Sequence, residues 1–310
     1  MAQDLFVKHS AIADKNGLAE AATLDFFGRA FFFSKADELW KKKRKACSHA
    51  FYKDRMEHML EVLKDKIEED CLQWMAEIEA SEEKQTTIDI SKVFNRLYSR
   101  SIIHICFGED ISDQRLTIAV PKEGRNINQL HDEEMTVPEA IVECTEMGIQ
   151  DIRLKMVNPL FPLLYRTFDY VLNMTSGERN IRKSFKKMRA FIHEYVQKRK
   201  QGTVKSTVRE SADLLSLFLE APDIFTDEFI VDELIDFFVA ASQTTMHTQQ
   251  TAFGHYTTTP ASREKARAEF DEMVKQLDDP SLEGLSRAEL LRKTINIESI
   301  SDLTFMNQVI

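Results

Sequence analysis

The sequence is poor in the residues that interrupt helices. Its 310 residues include only 9 glycines and 7 prolines, whereas phenylalanine (21) and methionine (12) are frequent. A chain with few helix breakers and many good helix formers is expected to be mostly helical. Its length is sufficient for a substantial core, in one large domain or two smaller ones.

Three further shortages exclude other classes of protein. The four cysteines are scattered without C-x-x-C spacing, which argues against a zinc site or a disulfide framework and favours a reduced, intracellular compartment. No segment reaches about 18 consecutive apolar residues, so we expect no membrane span, no signal peptide and a soluble chain. The formal net charge of −10 argues against general nucleic-acid binding.

Apolar residues recur at the spacing of helix faces along most of the chain. The clearest runs are Met56 to Ile78, Val93 to Phe107, Phe185 to Val196 and a long one after Thr226. The Thr226 hydroxyl is expected to cap that long helix. Alternation typical of strands is nearly absent: Thr87 to Ile90 is the one short candidate, and the polar stretch from Asp113 to Glu139 is predicted as a surface loop. The sequence therefore predicts an all-α protein.

Small and polar residues interrupt the apolar face of the long helix. The segment Ala240-Ala241-Ser242-Gln243-Thr244-Thr245 follows Phe237 and Phe238. Small side chains leave room for a flat group against the helix, and the Thr244 hydroxyl can bond to the carbonyl one turn earlier, bending the helix and opening a groove. The alternative is a tight crossing with another helix, because small residues also cluster at such crossings.

A second candidate site lies near the amino terminus, in Trp40-Lys41-Lys42-Lys43-Arg44. Trp40 and Arg44 are four residues apart and therefore share one helical face. An indole N–H beside a guanidinium suits recognition of a carboxylate. The basic run from Lys41 to Lys45 is also typical of a solvated helix face or of a nuclear import signal.

In this order and at this separation, the segments resemble the cytochrome P450 family of haem-thiolate monooxygenases, of the eukaryotic type. Trp40, Arg44 and the later Phe51 match its Trp-x-x-x-Arg element, and Ala240 to Thr245 matches its distal-helix motif Ala-Gly-x-Asp/Glu-Thr-Thr. Similar stretches lie at 105–110, 213–215 and 260–270. The resemblance covers essentially the whole chain but only the central part of the family's length. Residues 1–310 are therefore expected to form a single, incomplete catalytic domain, with the family's small β-sheets largely outside it.

The resemblance implies haem b as the cofactor and a role for each motif. Trp40 and Arg44 would hold the haem propionates, Ala240 and Ala241 would form the distal wall, and Gln243 and Thr244 would manage oxygen and protons. Gln243 stands where the family has an acid, and an amide cannot release a proton. Candidates for a substrate pocket, which core packing explains equally well, are Phe26, Phe27, Phe237 and Phe238. The implied reaction inserts oxygen from O2 into an apolar organic substrate, with electrons from an NADPH-cytochrome P450 reductase-type donor.

Other family elements have no counterpart in residues 1–310. These are the amino-terminal anchor, the Glu-x-x-Arg helix and the loop whose cysteine ligates the iron. We therefore expect no axial metal ligand in this chain, no thiolate-bound haem and no activity of the chain by itself, whereas its parent is expected at the endoplasmic-reticulum membrane. The alternative is a catalytically silent helical scaffold or interaction protein, derived from a truncated product or a pseudogene.

Overall fold

The computed structural model describes residues 14, 17–122, 129–161, 163, 176–208 and 213–309, and most of them are helical. The helices are α1 (Gly17–Phe27), α2 (Glu38–Cys47), α3 (Lys53–Ala80), α4 (Ile90–Phe107), α5 (Val137–Val157), α6 (Ser176–Lys200), α7 (Leu214–Leu219), α8 (Asp227–Thr258), α9 (Pro260–Gln276), α10 (Arg287–Thr294), α11 (Ile297–Asp302) and α12 (Thr304–Val309). The predicted helical class is confirmed. Among the described helices, none combines the length and the apolar character that crossing a membrane requires.

The polar stretch predicted as a loop contains a β-hairpin, so that prediction was wrong. Strand β1 (Arg115–Pro121) pairs antiparallel with β2 (Leu130–Thr136), with Arg115 opposite Thr136. Ile118 and Val120 are buried on β1, whereas the acids at 132–134 of β2 are exposed. The acids resemble a loop in the sequence because they occupy the solvated part of a strand whose partner supplies the apolar face.

The candidate strand from Thr87 to Ile90 is not formed. Residues 85–89 have no regular structure, and α4 begins at Ile90. The Asp89 carboxylate accepts hydrogen bonds from the backbone N–H groups of Ser91 (3.0 Å) and Lys92 (3.3 Å), so this aspartate caps the helix. The cap predicted at Thr226 is confirmed, because its hydroxyl accepts from the Phe229 N–H at 3.3 Å at the start of α8.

The contacts divide the described chain into two compact units. The first comprises the residues up to Ala50 together with Cys106–Val239, and the second comprises Phe51–Ile105 together with the residues from Ala240 onward. The helix α8 therefore contributes its first part to one unit and its second part to the other. The single domain expected from the sequence remains a prediction.

The core of the first unit combines aromatic rings with buried ion pairs. Phe26 packs against Phe185 with ring centroids 4.6 Å apart, and a Cβ on Gly148 would lie only 2.5 Å from the Phe26 ring, so close packing requires glycine there. The buried ion pairs are Lys43–Glu233, Lys155–Asp151 and Arg199–Asp213, at 2.8, 2.6 and 3.0 Å. Since buried charges need partners, Lys43–Glu233 fixes the contact of α2 with α8 and Arg199–Asp213 that of α6 with the residue preceding α7, whereas Lys155–Asp151 lies within α5.

The second unit has its own apolar cluster. Phe270 and Met273 of α9 are buried against Leu303, with Met306 of α12 packed beside them. Ion pairs between Arg292 and Asp65 and between Lys53 and Glu298 join α10 and α11 to the long helix α3. These pairs are exposed and contribute little stability. Burial of the apolar cluster is therefore the larger contribution to the stability of this part of the unit.

Candidate functional site

Trp40 and Arg44 lie together on one face of α2, as their spacing predicts. The helix begins after Asp37, whose carboxylate accepts from the Trp40 backbone N–H at 2.7 Å. The Arg44 guanidinium carbon is 5.1 Å from the centroid of the Trp40 ring, which is a cation–π distance. Arg44 is exposed, and no carboxylate of the described residues is paired with it. Its guanidinium is therefore available to an external anion.

The Trp40 indole has a partner inside the protein. Its Nε1–H donates to the Phe31 carbonyl oxygen at 2.7 Å. The sequence predicts this N–H as a second donor to a carboxylate. In the structure the N–H is bound to Phe31, and the face of the ring contacts the Arg44 guanidinium. Binding of a propionate by Trp40 itself stays a prediction.

An apolar cavity adjoins this pair. It has a volume of about 440 Å³ and is lined by Ala19, Phe31, Phe32, Phe33, Trp40 and Arg44. The lining is almost wholly apolar, and among the described residues that form it only Arg44 is charged. Such a cavity suits a flat apolar molecule that carries a carboxylate.

Lys43, on the same helix, is buried instead of solvated. Its ammonium donates to Glu233 Oε1 at 2.8 Å and to the Arg29 carbonyl at 2.9 Å, and it lies 3.9 Å from the centroid of the Phe229 ring. The reading of Lys41 to Lys45 as a solvated face is therefore right for its other four members, which are exposed, and wrong for Lys43.

Glu233 of α8 is the partner that the sequence analysis missed. The backbone N–H of Phe31 donates to both of its carboxylate oxygens, at 3.2 and 3.1 Å. Burial raises the pKa of Glu233 above the usual value of a glutamate, although the Lys43 ammonium and the Phe31 N–H act in the opposite direction. The available signal was the presence of three acids, Asp232, Glu233 and Asp236, inside the apolar start of a long helix.

The second part of α8 carries the other predicted motif. The Thr244 hydroxyl donates to the Ala240 carbonyl at 2.7 Å, so the predicted bond to the preceding turn is confirmed. Thr248 donates in the same way to the Thr244 carbonyl at 3.0 Å. Ala240 and Thr244 are exposed, whereas Ala241 and Gln243 are half-buried. Each hydroxyl has its hydrogen engaged and presents lone pairs outward, as hydrogen-bond acceptors.

The comparisons with known proteins decide the family. The sequence model of the family described as Cytochrome P450 matches residues 1–298. The chain belongs to this family. Cytochrome P450 94A2 of Vicia sativa is 27% identical over 225 residues, which cover 71% of this chain and 39% of that protein. Cytochrome P450 CYP94D109 of Paris polyphylla is 27% identical over 251 residues, covering 79% and 45%. The chain thus spans less than half the length of these curated relatives.

A solved structure supports the P450 fold independently. The crystal structure of a cytochrome P450 (CYP102L1) is similar over 96% of this chain and 57% of that one, with a TM-score of 0.63 and 17% sequence identity. At this identity the similarity concerns the fold alone.

The four phenylalanines predicted for a substrate pocket of this P450 lie in different surroundings. Phe26, Phe27 and Phe238 are buried; Phe27 packs against Phe33 at 4.4 Å between centroids, and Phe238 packs against Phe107 at 5.6 Å. Phe237 is half-buried and 6.2 Å from Phe31, which lines the cavity beside Trp40. Phe237 therefore has the most accessible position of the four, and the pocket itself stays a prediction.

The cysteines of this P450 chain favour the neutral thiol. Three of them, Cys47, Cys106 and Cys144, are buried, and Cys71 is half-buried. Burial raises the pKa of all four thiols, that of Cys47 to about 12, and metal ligation requires the thiolate. Among the described residues, no group of three or more histidine, cysteine or acidic side chains could hold a metal ion.

Proposed function

We propose that this member of the family acts as a haem-dependent monooxygenase that inserts one atom of O2 into an apolar organic substrate. The observation that carries the proposal is the exposed guanidinium of Arg44, which pairs with no carboxylate of the described residues and lies beside an aromatic cavity, within a chain of this family. Haem, when bound, supplies the iron at which O2 is reduced with electrons from a reductase-type donor.

Arg44 and Trp40 would hold one edge of the haem. The Arg44 guanidinium can form a bidentate, charge-assisted pair with a propionate carboxylate. The bond from the Trp40 N–H to Phe31 holds the indole ring in place, and the ring would in turn orient the guanidinium that it contacts. The residues present therefore fit the group, with Arg44 as the donor to the propionate.

The second part of α8 would leave room for the haem and take part in proton delivery. Ala240 and Ala241 leave room for a flat group, and the Thr244 hydroxyl, with its hydrogen on the Ala240 carbonyl, would accept from an ordered water. Gln243 cannot release a proton, so proton delivery would depend on that water. In the complete enzyme, Gln243→Glu is expected to raise the yield of oxygenated product per electron consumed. An unchanged or lower yield would show that Gln243 does not limit turnover.

The thiolate ligand of the iron would come from outside the four cysteines of residues 1–310, because none of them lies in a ligand loop. The electron donor would be of the NADPH-cytochrome P450 reductase type, and the enzyme would associate with the endoplasmic-reticulum membrane. The half-buried Phe237, whose ring lies 6.2 Å from that of Phe31, supports an apolar substrate.

Titration of the 310-residue chain with haem, followed by the Soret absorption, tests the proposal. Arg44→Ala should weaken haem binding by about tenfold to a hundredfold, since a hydrogen bond to a charged group contributes about 1.5–3 kcal/mol. Lys41→Ala is the matched control, because Lys41 is exposed on the same helix and pairs with Glu38. No binding, or equal losses in both variants, would contradict the proposal and favour a scaffold role.

The spectrum of the same sample tests the ligand assignment separately. The reduced, carbon-monoxide-bound chain should lack the Soret band that is typical of thiolate ligation. Such a band would show that one of the four cysteines binds the iron.

A further inference from the structure

We propose that Glu233 is a positioning residue, which sets the orientation of Trp40 and Arg44 through the backbone of Phe31. This role rests on the proposed function of that pair. It assigns part of the carboxylate-binding site to a buried acid on another helix, about 190 residues away along the chain.

The first set of hydrogen bonds connects α8 to the segment between α1 and α2. Both carboxylate oxygens of Glu233 accept from the Phe31 N–H. The neighbouring Asp232 accepts from the Arg29 N–H at 2.8 Å, and the Arg29 carbonyl accepts from Lys43 at 2.9 Å. Two consecutive acids of α8 therefore hold two alternate backbone N–H groups of this segment in a fixed place.

The second step runs from Phe31 to Trp40. The N–H and the carbonyl of Phe31 flank one α-carbon; the N–H is held by Glu233, and the carbonyl accepts from Trp40 Nε1 at 2.7 Å. The φ and ψ angles of residue 31 set the direction of its carbonyl relative to its N–H, so the carbonyl can reorient once the N–H is no longer held. The third step is the contact of the Trp40 ring with the guanidinium of Arg44, which would follow any reorientation of the indole.

Orientation and stability can be separated at this site. A buried ion pair such as Lys43–Glu233 can often be replaced by apolar side chains of similar volume without loss of stability. An apolar residue at 233, however, cannot accept the Phe31 N–H, which would then lack its partner in the interior. If Glu233 positions the pair, the replacement should disturb Trp40 even when the fold is as stable as before.

Two double variants of the full chain differ only in that acceptor. Lys43→Met with Glu233→Leu removes the ion pair and the acceptor, whereas Lys43→Met with Glu233→Gln removes the ion pair and keeps a carbonyl oxygen for the Phe31 N–H. Both are made in a Trp74→Phe background, which leaves Trp40 as the only tryptophan. The readouts are hydrogen exchange of the Trp40 indole N–H by NMR, urea unfolding and haem affinity.

We expect the leucine variant to exchange the Trp40 indole N–H at least tenfold faster and to bind haem at least tenfold more weakly, with the glutamine variant close to the parent chain in both. Lys155→Met with Asp151→Leu is the control, because it removes another buried ion pair of the same unit and should leave Trp40 unchanged. If the leucine variant does not fold, Glu233→Asp replaces it, since the shorter side chain withdraws the carboxylate from Phe31 and the same losses are expected.

Unchanged exchange of the indole N–H in a folded leucine variant would overturn the proposal. Equal losses in the leucine and glutamine variants would also overturn it, because they would assign the effect to the ion pair. If the exchange changes as expected but the parent chain does not bind haem, the proposed function fails while the positioning of Trp40 by Glu233 stands.

Discussion

Replacing Lys43 with methionine would leave the carboxylate of Glu233 inside the protein without its cation. The side chains of Lys43 and Glu233 are 2% and 0% exposed, so solvent cannot take over the role of the ammonium. Removing one partner of a buried pair costs about 3–5 kcal/mol of folding free energy. Methionine fills a volume similar to that of the lysine stem, so this loss is mainly electrostatic.

The loss should depend on pH. Burial raises the pKa of Glu233 even with Lys43 present, and without the ammonium that pKa must rise further. An acid whose pKa is higher in the folded than in the unfolded state, where it is about 4.3, contributes stability that is present at low pH. That contribution is lost as the pH rises through the folded-state value, by up to about 1.4 kcal/mol per pH unit. Lys43→Met should therefore be least destabilised near pH 5 and most destabilised near pH 8.

Urea unfolding between pH 5 and pH 8, followed by Trp40 fluorescence in a Trp74→Phe background, measures this loss. Adding Glu233→Gln to Lys43→Met should recover most of the stability and abolish the additional pH dependence, because no buried carboxylate remains. Lys41→Met serves as the control for an exposed lysine of the same helix. A loss of folding free energy below about 1 kcal/mol at pH 8, or one that does not change with pH, would refute the reasoning. A loss that small is what removal of an exposed ion pair costs.

Two further predictions concern a glycine and a thiol. Gly28→Ala should lower the thermal unfolding temperature more than Gly202→Ala. Both glycines have positive φ (59° and 72°), which costs about 1–2 kcal/mol for other residues. At Gly28, unlike at Gly202, an added Cβ would also lie 2.1 Å from the Asp232 carboxylate. Equal shifts would contradict the close contact. In the native chain, iodoacetamide should alkylate Cys71 before the three buried thiols, and mass spectrometry of the digested protein would reveal any other order.

Four of the helices and the cap of one of them were accessible from the sequence because the information is local. The four apolar runs coincide with α3, α4, α6 and α8, and Thr226 caps where predicted. The hairpin escaped because its apolar alternation is confined to Leu116, Ile118 and Val120 of β1. In addition, β1 is held from outside, since the Ala119 N–H donates to the Ser184 hydroxyl of α6 at 3.1 Å. Tertiary contacts of this kind leave no periodic signal.

In the candidate site, too, the local contacts could be predicted from the sequence and the long-range contacts could not. The shared face of Trp40 and Arg44 and the bond from Thr244 to Ala240 follow from a separation of four residues on a helix. The pairing of Lys43 with Glu233 joins residues 190 positions apart, which no local spacing can predict. What the sequence did offer was a charged residue amid apolar neighbours, since a buried charge implies a partner somewhere.

The continuity of α8 has a consequence for how the chain folds. One of the three boundaries between the two compact units falls between Val239 and Ala240, in the interior of the unbroken helix α8. Nucleating a helix is unfavourable, whereas extending an existing one adds a hydrogen bond for each residue ordered. Whichever unit forms first therefore supplies the other with a started helix, which extends forward from Val239 if the first unit leads and backward from Ala240 if the second does. Folding of the two units is thereby coupled along the backbone hydrogen bonds of this helix.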